Sequence, residues 1–106
     1  MIHKELAAGR WAQMNLMEQL ANVGSEVSRA NNWKKKENEV YAQNSFERAL
    51  ELLDLTILHS PRYAVTKELC RTREEMCKHF YRSNVDEFEK INRYFLPFAF
   101  AARKKL

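Results

Sequence analysis

Residues 45–58 read SFERALELLDLTIL, and their pattern decides the fold. Phe46, Ala49, Leu50, Leu53 and Ile57 recur at the i, i+3, i+4, i+7, i+11 spacing that stacks side chains on one helical face. Glu47, Arg48, Glu51 and Asp54 fall on the opposite side, where water hydrates them. Leu52 and Thr56 widen the apolar face beyond a narrow seam, so this helix should touch two or three neighbours rather than one.

Upstream, Asn38 followed by Glu39 is a helix-start signal, and Ala42 extends the core face backwards, which predicts a helix over 38–58. Before it lies NNWKKKENE, the one stretch of low hydrophobicity, read as a loop that carries Lys34, Lys35 and Lys36. From His3 to Ala30 the pattern is helical without interruption. Leu6, Met14, Met17, Leu20, Ala21, Gly24 and Val27 share one face, extended by Leu16 and Val23; Lys4, Asn15, Glu18, Asn22, Glu26 and Arg29 share the other. Gly24 projects towards the apolar face, where close approach of another helix explains a residue that costs ~1 kcal/mol against alanine. Trp11 falls on the polar side, to be partly covered by another segment or to anchor a partner.

Downstream, Ser60 as N-cap and Pro61 at the first helical position predict a third helix from Pro61 to Arg82. Val65, Leu69, Thr72, Met76 and Phe80 line its inner face. Ser83 or Asn84 caps a fourth helix whose inward residues are Val85, Phe88, Ile91, Asn92 and Phe95. Pro97 should kink or stop it near Leu96, with Phe98, Phe100 and the alanines restarting a short amphipathic segment.

The fold expected is therefore all-α: an antiparallel up-down four-helix bundle, with a first helix roughly 40 Å long and a kinked C-terminal helix. The chain's 106 residues suit one domain, 1–106, with a core that needs neither metal nor disulfide. Cys70 and Cys77, two turns apart on one helix at ~10 Å, are beyond disulfide reach and read as free thiols in a reducing compartment. No apolar run approaches the ~18 residues of a membrane span, and the opening MIHKELAAGRW lacks the apolar core of a signal peptide. A cytoplasmic protein with no membrane contact is the expectation. The formal charge of +4 is mild and serves solubility.

Chemistry has few candidate groups. No GxGxxG, Walker A or GxSxG pattern occurs, and no Glu-x-x-His pair marks a di-iron bundle; neither metal nor cofactor is expected. One constellation stands out: Arg73–His79, R-E-E-M-C-K-H. Histidine can move a proton of the 2′-hydroxyl or the leaving group, and arginine can stabilise charge on phosphate. With this Arg-x5-His segment in a small helical bundle, the chain resembles the HEPN proteins, named for eukaryotic and prokaryotic nucleotide binding. The resemblance implies a dimer that cleaves RNA without metal through Arg73 and His79, or a companion to a nucleotidyltransferase in a toxin–antitoxin pair. On a continuous helix the two residues point ~120° apart, so convergence would need a helix break or a second copy. Asn22-Val23-Gly24-Ser25-Glu26 with Arg29, followed by Phe46 and Leu50, also resembles a segment of the four-helix proteins encoded in intervening sequences of bacterial ribosomal RNA genes.

Taken together, the sequence points to a non-enzymatic helical module that self-associates or binds a protein or RNA partner. RNA would be held by Lys34, Lys35, Lys36, Arg103, Lys104 and Lys105, and a protein partner by Trp11, Phe98 and Phe100.

Overall fold

Among the described residues the chain forms four α-helices of twenty residues each: α1 (Leu16–Lys35), α2 (Glu39–Leu58), α3 (Tyr63–Arg82) and α4 (Val85–Lys104), preceded by a 3-10 turn at Trp11–Gln13. The computed structural model describes residues 9, 11–60, 62–82 and 85–104, with 85–87, 103 and 104 described as backbone only. A twenty-residue helix is ~30 Å long, and the longest dimension of the molecule is 36 Å. Connections of two to four residues therefore reverse the chain each time. The result is an all-α, up-down four-helix bundle in which α1 lies closest to α2 and α4, while α3 faces α2 and α4.

The expected inner faces of α2 and α3 are the observed ones, as is that of α4 from Phe88 onwards; the side chain of Val85 lies outside the described residues. Phe46, Ala49, Leu52, Leu53 and Thr56 of α2 are buried, with Leu50 and Ile57 at the margin. From α3 come Leu69, Thr72, Met76 and Phe80, and from α4 Phe88, Ile91 and Phe95. Phe46 and Phe80 stack in parallel with centroids 4.0 Å apart, and Phe88 meets both edge-on. Such rings hold α2, α3 and α4 apart by their own thickness. The α1–α4 seam is different. At Gly24 an added Cβ would stand 2.7 Å from Phe95 Cβ, so glycine is what lets these two helices approach.

Helix ends depart from the sequence reading in several places. The helix expected to run without interruption to Ala30 is broken before Asn15. Gly9 has φ +135°, outside the right-handed helical range, and α1 begins only after Asn15. There the Glu18 amide donates to Asn15 Oδ1 (2.8 Å), and the Asn15 amide donates to Glu18 Oε1 (3.1 Å). This reciprocal box satisfies two amides that a helix start leaves free. The helix then continues through Asn31 and Asn32 to Lys35, so Lys34 and Lys35 form its last turn and are not loop residues. At its end the Asn38 amide donates to the Trp33 carbonyl and the Glu37 amide to the Lys34 carbonyl, both at 3.0 Å. That is a Schellman closure, with Glu37 at φ +59° in the position glycine usually takes.

Asn38 caps α2 as expected, accepting from the Tyr41 amide at 3.1 Å. The start of α3 is displaced. It begins at Tyr63 rather than Pro61, and Ser60 Oγ donates to the Arg62 carbonyl instead of receiving an α3 amide. Pro61, Ser83 and Asn84 lie outside the described residues, as do Leu6 and the rest of the expected first-helix start. Pro97 neither ends α4 nor begins a separate segment. Its missing amide orphans the Arg93 carbonyl, but Arg93 and Pro97 are both on the exposed face, where water can take that bond. Phe95 and Phe98 on either side keep their packing against the core.

Candidate functional site

Where α1 turns into α2, the three lysines fan out in three directions. Lys34 reaches towards α3, its Nζ 4.7 Å from the Phe80 ring centre. Lys35 crosses to α4 and pairs with Glu89 Oε2 at 2.7 Å. Lys36 folds back with its Nζ 5.1 Å from the Trp33 ring centre. Each stem is thereby positioned while Lys35 and Lys36 keep their heads exposed. Glu37 and Glu39 stand exposed in the same turn and temper the positive field.

Beside the lysines, Trp33 meets Tyr41 edge to face, centroids 4.8 Å apart. Trp33 is half-buried, and Tyr41 is 51% exposed. Tyr41, Asn44, Ser45 and Arg48 form one stripe of α2 at i, i+3, i+4, i+7 and, with Trp33, enclose a cleft of about 330 Å³. Arg48 Nε is held 3.3 Å from Glu26 Oε2, while Glu26 Oε1 pairs with Arg29 at 2.9 Å. Glu26, placed on the solvated face from sequence, is thus buried between two arginines. Its second partner comes from another helix, which no local pattern reveals. Two guanidinium groups share one carboxylate, leaving a net positive charge at the cleft. Ser45 is 1% exposed, and its Oγ has no hydrogen-bond partner among the described residues. On the other flank of α2, Tyr81 OH accepts from Gln43 Nε2 at 2.8 Å.

Close by, the buried Asn31 amide donates to Glu89 Oε2 at 3.0 Å. Hydrogen bonds from Lys35 and then Asn31, with the charges of Lys35 and Arg93, hold the Glu89 carboxyl below its ordinary pKa. It stays ionised and keeps Lys35 engaged.

Arg73 and His79 each lie against a carboxylate. Arg73 binds Asp54 of α2 through Nε–Oδ1 (2.7 Å) and Nη2–Oδ2 (3.4 Å). That hydrogen bond raises the guanidinium pKa further, against a smaller opposing effect of burial. His79 Nε2 lies 3.1 Å from Glu75 Oε2, one turn back on α3. Helix α3 is unbroken between Arg73 and His79, so the break that would bring them together within one chain is absent.

Trp11 is completely buried and is no surface anchor, which corrects its assignment to a partner interface. The 3-10 turn re-aims it inwards, where Nε1 donates to Thr56 Oγ1 (3.3 Å) and its carbonyl accepts from Gln19 Nε2 (2.9 Å). Phe98 is half-buried against the core, and Phe100 is 62% exposed. Lys105 and the side chains of Arg103 and Lys104 lie outside the described residues. Cys70 is exposed, Cys77 is partly buried, and both are free thiols. Among the described residues no group of His, Cys, Asp and Glu is placed to hold a metal ion, and no helix is long and apolar enough to cross a membrane.

The sequence reading named the lysines of this end but missed Trp33, Tyr41, Asn44, Ser45 and Arg48. The signal was present as a second stripe on α2, beside the apolar stripe of Ala42, Phe46 and Ala49. Searches of family models, curated proteins and solved structures return no match to the chain.

Proposed function

We propose that the protein is a non-catalytic RNA-binding module whose contact surface is the α1–α2 end of the bundle. The Trp33–Tyr41 pair, with Lys36 over Trp33 and Arg48 lining the same cleft, is the observation that carries this reading. Aromatic faces stack on unpaired bases and cations neutralise phosphates, the pairing used by single-strand binders. Phosphate contacts from Lys34, Lys36 and Arg48, with Lys35 held on Glu89, would give a salt slope of about −2, at roughly −0.7 per contact. The test is anisotropy of labelled single-stranded RNA across a salt series, with folding followed by circular dichroism. Trp33→Ala and the triple lysine-to-alanine variant should stay folded and bind weakly. A flat salt response, or full affinity in folded Trp33→Ala, would refute the proposal.

Self-association is a second reading, favoured by the outer face of α4. Leu96 and Phe100 stand exposed there around a groove lined also by Arg93, Pro97 and Ala99. Apolar groups gathered on one face suit a contact between copies or with a protein companion such as a nucleotidyltransferase. Leu96→Glu with Phe100→Glu should turn a dimer into a monomer in sedimentation; an unchanged mass removes this reading. Free Cys70 and Cys77 suit a reducing cytoplasm.

Metal-independent RNA cleavage by Arg73 and His79 is the catalytic alternative. The Asp54 clamp on Arg73 weighs against it, because a guanidinium already paired with a carboxylate must exchange that partner for phosphate. RNA cleavage in EDTA by the wild type, lost in folded His79→Ala, would overturn the non-catalytic reading.

A further inference from the structure

We infer that the cleft between Trp33, Tyr41, Asn44, Ser45 and Arg48 is a subsite for one unpaired nucleobase and its phosphate. This rests on the RNA-binding reading and makes it specific. The cleft's volume of about 330 Å³ lies at the small end of the ~300–1,000 Å³ seen for ligand pockets. It suits a nucleotide better than a peptide helix. Its walls divide by chemistry. Tyr41 presents an exposed ring edge-on to Trp33, which holds it upright for stacking. Asn44, exposed at the mouth, offers an amide donor and acceptor at a spacing that matches a base edge.

Ser45 supplies the independent observation. A buried hydroxyl without a partner is unfavourable, and alanine would remove that cost at the same place in a helix. Ser45 lines the cleft with this hydroxyl buried just behind its wall, so a small shift of the wall on binding brings a ligand atom within hydrogen-bond reach. Arg48 marks the phosphate position. Glu26 holds it from behind, and Arg29 already balances that carboxylate, so the guanidinium charge is available at the cleft wall. Lys36 stands over the Trp33 ring and adds positive charge near the cleft.

The experiment titrates full-length 15N-labelled protein with AMP, GMP, CMP and UMP, with ribose 5-phosphate as the base-free control and an oligouridine RNA in parallel. The two indole N–H signals report separately, because Trp11 is buried at the far end. Saturable shifts of the Trp33 indole and the 44–48 amides, with Trp11 unmoved, are the expected result. Affinity should fall about tenfold in Tyr41→Ala, the size of one lost base stack, and several-fold in Ser45→Ala, which should fold at least as well as wild type. Equal shifts with ribose 5-phosphate would overturn the base subsite. Oligouridine binding without any nucleotide shift at 44–48 would also overturn it, leaving the RNA reading intact. Failure of the oligomer as well as the nucleotides would remove both.

Discussion

The two tryptophans sit at opposite ends of the α1–α2 pair and have opposite surroundings. Trp11 lies against the C-terminal part of α2, fully buried, with its indole N–H on Thr56 and its carbonyl on Gln19. Thr56 passes its own hydroxyl hydrogen to the Leu52 carbonyl at 2.9 Å, so the polar chain closes inside the fold. Trp33 lies fourteen residues beyond Gln19 on α1, ~20 Å along the helix at 1.5 Å per residue. It is half-exposed and meets a ring edge and a lysine instead of a closed network. One end spends its aromatic surface on stability, and the other keeps part of it for a ligand.

Removing each indole separates the two roles most sharply. Trp11→Ala should cost about 3–5 kcal/mol, the range for deleting a buried aromatic. Trp33→Ala should cost about 1 kcal/mol, since part of its surface faces water already. Thermal or urea unfolding measures both, and RNA anisotropy on the same samples completes the contrast. Equal destabilisation of the two variants would erase the distinction between a sealed and an open end.

The seam linking the ends gives the next effect. Gly24→Ala would improve helix propensity, yet its Cβ would meet Phe95 Cβ, an atom fixed to the α4 backbone. Overpacking of this kind costs about 1–3 kcal/mol, so the variant should melt lower despite the better helix former. A higher melting temperature would mean that α1 and α4 separate without penalty.

This seam was legible in the sequence, because a glycine on an apolar helical face weakens the helix and is offset only where a neighbouring helix comes close. So were the inner faces of α2 and α3 and the Asn38 cap, all set by periodicity or by near neighbours in the chain. Features decided by distant partners were not legible. Glu26 has a solvated pattern along α1 and is buried only because Arg48 reaches it from α2; Trp11 turns inwards because the chain breaks helical phase before Asn15. The Asn15-x-x-Glu18 box is plain in the sequence but is masked by apolar periodicity running through it. Pro97 misleads for a related reason: which side of α4 it occupies depends on packing, and it occupies the outer one.

Glu37 tests the open end more gently. At φ +59° a residue with a Cβ is strained, and glycine is not. Glu37→Gly should therefore stabilise the protein by about 0.5–1 kcal/mol, less than the full ~1–2 kcal/mol strain because glycine also enlarges the unfolded ensemble. The same change removes a negative charge next to Lys36, so RNA should bind more tightly and with a steeper salt dependence. Gains in both stability and affinity would show that the open end is limited by its turn; a loss in either would place Glu37 in the contact itself.

Glu89 should give the smallest change and the most specific one. Its carboxyl titrates below its ordinary value because Lys35 and Asn31 bond to the ionised form. The stabilisation it provides is present in full above the unfolded-state pKa of ~4.3 and is lost as pH falls through the lower folded-state value. Glu89→Gln keeps a group that can accept from Asn31 but no charge for Lys35. The variant should melt slightly below wild type at neutral pH, and the gap should close as pH falls through the lowered folded-state value and wild-type Glu89 itself becomes protonated. At neutral pH the released Lys35 is free to meet phosphate, so the variant that loses stability should gain RNA affinity. Opposite signs in the two measurements would mark Lys35 as shared between fold and ligand. A loss in both would mean that the Lys35–Glu89 pair shapes the RNA surface as a unit, and the lysine's value lies in where Glu89 holds it.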